Sequence, residues 1–137
     1  MWWIYALLSA FFAALTTILG KIGVQQVNSN LATAIRTAVI LILAWGIVLT
    51  RGEHAGLPLI PQKTLLFLVL SGIATGLSWI CYFKALQLGK ASLVAPIDKS
   101  SLVMTLILAA IFLGEPLQVK TVCGVLLIVA GTLVLLL

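Results

Sequence analysis

The sequence predicts an all-α, polytopic membrane protein with five transmembrane helices, and three observations carry that reading. Of its 137 residues, 63% are hydrophobic and 8% are charged, against roughly 25% charged in soluble globular domains. Mean hydropathy is +1.28. The apolar residues are also continuous, falling into five runs at about 2–23, 31–50, 64–87, 92–113 and 118–137. Each is close to the roughly 20 residues that cross hydrocarbon as a helix, whereas a barrel would show shorter alternating segments. Little is left for a soluble domain, so 1–137 is read as one transmembrane domain. An odd number of spans puts the termini on opposite sides of the bilayer. Five helices are few for an alternating-access pathway, so the expected partner is a second, inverted copy of the chain, an antiparallel homodimer.

Taken in order, the first run lacks the basic leader of a signal peptide and is expected to be retained. Its Ala10, Ala14, Thr17 and Lys21 share one helical face, small and polar, ending in a cation. Trp2, Trp3, Tyr5 and Trp45 gather near one membrane face as an aromatic belt. After the Asn28-Ser29-Asn30 break, Thr33, Arg36 and Thr37 share a face of the second run, with the guanidinium roughly 8 Å inside the span. The longest loop carries Gly56, Pro58 and Pro61. In the third run Ser71, Thr75, Ser78 and Tyr82 form a stripe bordered by Trp79 and Phe83, a pattern suited to a small-molecule wall. The fourth run places Asp98, Ser101, Thr105 and Ala109 on one stripe, and Gly114-Glu115-Pro116 precedes the fifth. Gly72 and Gly76, and Gly124 and Gly131, have spacings that permit close helix contacts.

The net charge of +5 does not point to nucleic acid, because the cations are scattered through spans and short loops instead of clustered. Cys81 and Cys123 lie inside apolar runs, and the single histidine, His54, lies in a loop. No metal or cofactor is expected, and no enzyme signature is present. Arg51, Lys63 and Lys120 fall on one side of the membrane, against Lys21, Lys84, Lys90 and Lys99 towards the other. So weak a bias suits insertion in both orientations. A single, poorly marked orientation is the plainer alternative.

Charges at membrane depth need a partner, water or a route to the interface. Lys84 and Lys99 share faces with apolar residues and read as lysines that snorkel. That leaves Lys21, Arg36 and Asp98 as the inward set, all towards the same side of the bilayer. A buried ion-pair network would explain them without a ligand. For Asp98 a further structural reading exists: with Pro96 as the first helical residue, the carboxylate falls third, where the macrodipole favours it. The inward charge sums to +1, which favours an anionic or zwitterionic small molecule. Arg36 is expected to hold its carboxylate or phosphate and Asp98 to pair with Arg36 or a ligand amine. Trp79 and Tyr82 would form the wall, and Lys21, Ser101 and Thr105 would complete the site.

The segments Tyr82-Phe83-Lys84-Ala85-Leu86, Ala91-Ser92-Leu93-Val94-Ala95-Pro96-Ile97 and Leu113-Gly114-Glu115-Pro116, with the Leu31-to-Thr37 opening of the second run, resemble the EamA repeat of the drug/metabolite transporter superfamily. Most members carry two inverted repeats; this chain resembles the single-repeat, five-helix branch. The resemblance implies a transporter in a prokaryotic inner membrane, with a cavity between two repeats and hence a dimer. It does not supply the substrate. The related small multidrug resistance proteins carry an acid in their first span, where this chain has Lys21, so cationic drug export is a secondary alternative. A subunit of a lipid-linked head-group flippase is another, since basic residues near the interface suit a phosphate.

Overall fold

A computed structural model describes residues 1–135. Every regular element among them is helical. α1 runs Trp2–Gly23 and α2 Ser29–Thr50, followed by a 3₁₀ turn over Glu53–Leu59, which contains Pro58. α3 spans Gln62–Leu88, α4 Ala91–Asp98, α5 Ser101–Phe112 and α6 Val119–Val134. Four stretches are long and apolar enough to cross a membrane: α1, α2, α3 and Ala91–Phe112, which combines α4 with α5. α6 is the shorter fifth helix, and residues 136 and 137 of its expected range lie outside the described residues. The chain is a multi-pass, all-α membrane protein.

It divides into two compact units, Met1–Leu88 and Gly89–Leu137. In the first unit α3 packs against both α1 and α2. Few side chains are wholly enclosed: among the described apolar residues only Val24, Phe83 and Leu86 are buried. Lipid is as apolar as leucine, so burying leucine between helices gains little, and packing and polar contacts must hold the helices together. Those contacts concentrate where α3 ends beside the α1–α2 turn. The Thr17 and Tyr82 hydroxyls are hydrogen-bonded at 2.7 Å. Lys21 Nζ donates to the Leu86 carbonyl at 2.6 Å, and Gln87 Nε2 donates to the carbonyls of Val24 and Val27 at 3.2 and 3.1 Å. Lys21, in the last turn of α1, thus serves two helix C-termini, where cations are favoured and carbonyls lack partners.

Asn28 starts α2 as its N-cap, its side chain accepting from the Asn30 N–H at 2.9 Å. Inside the spans, threonine hydroxyls satisfy themselves on their own helices. Thr33 donates to Ser29 O and Thr37 to Thr33 O, both at 2.8 Å, and Thr75 donates to Ser71 O at 2.9 Å. These threonines therefore cross the bilayer without needing an external partner.

In the second unit α5 packs against α6, and the fourth span is interrupted. Pro96 lies inside α4, where it donates no hydrogen bond and its ring crowds the preceding turn. Beyond it the chain tightens to 3₁₀ bonds: Lys99 N–H to Pro96 O at 3.0 Å, Ser100 to Ile97 O at 2.9 Å and Leu102 to Lys99 O at 3.0 Å. This arrangement corrects the structural reading of Asp98. Extended Lys90 is the N-cap and its carbonyl accepts from Leu93 and Val94, so the helix begins at Ala91. Pro96 is consequently interior and Asp98 is the last residue of α4. The macrodipole there disfavours a carboxylate, and Lys99 Nζ at 3.7 Å offsets it. Lys99 therefore also has an ionic partner beyond the expected route to the interface.

A Cβ placed on Gly72, Gly76, Gly124 or Gly131 would meet nothing within 4 Å. The close contacts that their spacing permits are not made within either unit of the described residues.

Candidate functional site

Four of the seven expected site residues lie in the first unit. Arg36 sits about 10 Å along α2 from its start. Its guanidinium is held by ring faces: Cζ lies 4.1 Å from the Phe83 centroid and 5.3 Å from that of Trp79. Phe83 and Trp79 are four residues apart on α3, and that spacing stacks them on one face to form a two-ring cradle. Arg36 Nη1 is shielded and has no hydrogen-bond partner among the described residues. Neither ion pair found there involves Arg36. A donor hidden from solvent and left unpaired is costly, so an acceptor at this nitrogen would be strongly favoured.

Arg36 borders a cavity of ≈ 350 Å³ between the end of α1, the start of α2 and α3. Thr16, Leu19, Gly20, Gly23, Val24, Val27, Ala32, Ile35 and Phe83 complete its lining. Two small residues open this space, Gly20 and Gly23 in the last turn of α1. Gly20 also lets Phe83 approach: a Cβ there would come within 2.6 Å of Phe83 Cε1.

Tyr82 and Lys21 stand beside this cavity as clamps, bonded to Thr17 and to Leu86 O, and neither is among its lining residues. Trp79 likewise acts on the guanidinium from outside the lining. The lining aromatic is Phe83, edge-on to Tyr82 with centroids 5.8 Å apart. Sequence reasoning placed Phe83 only at the border of the polar stripe; the signal that marks it is its spacing from Trp79. Gln87 was missed altogether, because one amide at a helix end is indistinguishable from an interfacial residue until the α1–α2 turn is folded against it.

Asp98, Ser101 and Thr105 belong to the second unit. Asp98 pairs with Lys99, and Thr105 Oγ1 donates to the Ser101 backbone carbonyl at 3.0 Å within α5. Among the described residues no group of three or more His, Cys, Asp or Glu side chains is arranged to hold a metal.

The model of the EamA-like transporter family matches residues 1–137. A relative named as an uncharacterized transporter in the cobO 3′ region, from Sinorhizobium sp., is 52% identical over 98% of this chain and 95% of its own length. An uncharacterized protein of the archaeon Methanocaldococcus jannaschii is 29% identical over 96% of this chain and 93% of its own. No solved structure matches. With its full-length match and its helical, membrane-crossing architecture, this chain belongs to the EamA-like transporter family of the drug/metabolite transporter superfamily.

Proposed function

We propose that this chain is a secondary transporter. It moves a small anionic or zwitterionic metabolite across a prokaryotic inner membrane by alternating access, working as an antiparallel homodimer. The observation that carries the reading is Arg36: a cation at membrane depth, cradled by two rings, bordering a cavity, with a shielded nitrogen that no described residue satisfies. A purely structural arginine would be expected to spend its donors on the protein. Membership of a transporter family and a relative named as a transporter supply the activity class. A cation in the cavity disfavours a cationic cargo.

Three observations support the dimer. The spans are odd in number by sequence, the charges hardly distinguish the two sides, and the Gly72/Gly76 and Gly124/Gly131 faces receive no close neighbour from their own unit. The bacterial source of one relative supports the inner membrane. Uptake of labelled organic acids and amino acids into proteoliposomes tests the reading. Flux that Arg36→Ala abolishes is expected, and flux unchanged by Arg36→Ala would remove Arg36 from the pathway.

A further inference from the structure

We infer that the cavity beside Arg36 takes an amphipathic monocarboxylate, a single carboxylate on a compact apolar body, in preference to a zwitterion or a phosphate ester. This names the substrate class within the proposed transporter function and rests on that reading. The lining has two chemistries. Arg36 is its one charged residue, Thr16 supplies its only other polar side chain, and the remainder is aliphatic, glycine or the Phe83 ring. A guanidinium carbon 4.1 and 5.3 Å from the Phe83 and Trp79 ring centroids leaves the N–H donors as the groups that recognise an anion. That geometry matches the planar, bidentate carboxylate.

Charge count then narrows the class. From Met1 to Leu88 the only acid is Glu53, in the turn after α2 and 3.9 Å from Arg51. It lies about 25 Å along the helix from Arg36. The lining of the cavity itself holds no acid, so it offers a ligand ammonium no partner, and an unpaired ammonium against aliphatic walls is strongly disfavoured. A phosphate ester brings nearly two charges to one cation, with Lys21 already donating to Leu86 O. Size sets the scale of the apolar body: at roughly 30 Å³ for each water-sized group, about 12 non-hydrogen atoms match a cavity of ≈ 350 Å³.

Isothermal titration of the purified full chain in lipid nanodiscs tests the class. The probes are straight-chain carboxylates from propanoate to dodecanoate, 4-phenylbutyrate, its matched alcohol and amine, phenylalanine and phenyl phosphate. Affinity should rise roughly fourfold per methylene and level off once the cavity is filled. The alcohol, amine, zwitterion and phosphate should each bind at least about tenfold more weakly than 4-phenylbutyrate, the loss expected for one charge-assisted bond. Arg36→Gln should lose a similar factor, and Arg36→Lys should recover part of it.

Phenylalanine or phenyl phosphate binding as tightly as 4-phenylbutyrate would overturn the inference. So would affinities indifferent to Arg36→Gln in a monodisperse variant. A rise continuing without plateau to dodecanoate would overturn it in favour of a ligand drawn from the bilayer. The chain-length series uses the unaltered protein and decides the matter even where the variants do not fold. Proteoliposome flux separates this failure from that of the transporter reading. Arg36-dependent flux of a zwitterion or phosphate would overturn the monocarboxylate class and leave transport standing. Selective carboxylate binding with no flux of any probe would support the class and contradict transport.

Discussion

Arg36 and Phe83 illustrate how one contact joins packing to recognition. The ring lies 4.1 Å from the guanidinium carbon and fills the space above Gly20. Any side chain at residue 20 displaces the ring and disturbs the cradle. Gly20→Val should therefore lower stability by about 1–3 kcal/mol, as overpacking does, read as a reduced thermal midpoint. It should also weaken ligand binding beyond what stability loss explains. Phe83→Leu keeps an apolar side chain but removes the ring face, so binding should fall severalfold while stability falls by about 1 kcal/mol. Ligand titration beside a thermal scan separates the two effects. At this scale the sequence was informative about charge and silent about geometry. Arg36 stood out because arginine at membrane depth requires an explanation, but nothing in a linear pattern distinguishes Tyr82, bonded to Thr17, from Phe83, which borders the cavity.

Among the elements, α3 is the organiser, since its C-terminal turns hold both α1 and the α1–α2 turn through Tyr82, Leu86 O and Gln87. Interhelical hydrogen bonds in membranes contribute about 0.6 kcal/mol on average. Thr17→Val and Tyr82→Phe should thus each cost about that much, and the double variant less than the sum, because both remove the same bond. A double-mutant cycle on chemical unfolding measures it. Gln87→Leu should cost more, about 1–2 kcal/mol, as it leaves two turn carbonyls without their donor.

The fourth span behaves differently. Its run of apolar residues predicted one continuous helix, and hydropathy alone cannot distinguish a straight span from one tightened after Pro96. Pro96→Ala should restore the N–H that proline lacks and relieve the crowding of the Ser92 carbonyl one turn earlier. A protected amide at residue 96 of the variant would report it. The four other helices were legible to within a few residues, because uninterrupted apolar runs bounded by Asn, Gly and Pro leave a chain in lipid no alternative to a helix.

At the scale of the whole molecule, the exposed surface is largely leucine, isoleucine, valine and phenylalanine, as befits a chain solvated by lipid tails. Charge placement barely distinguishes the two sides, so C-terminal reporter fusions should give signal from both. A cysteine placed at Gly76 should cross-link to its counterpart if the glycine face of α3 is a dimer contact. Family membership fixes the class of activity, and the cavity beside Arg36 directs attention to anions.

The most direct test is counterflow of labelled 4-phenylbutyrate in proteoliposomes carrying either the unaltered chain or Arg36→Gln at equal incorporation. The expected result is saturable exchange with the unaltered chain and at least a tenfold loss with the variant. Equal exchange by the two would contradict the role assigned to Arg36.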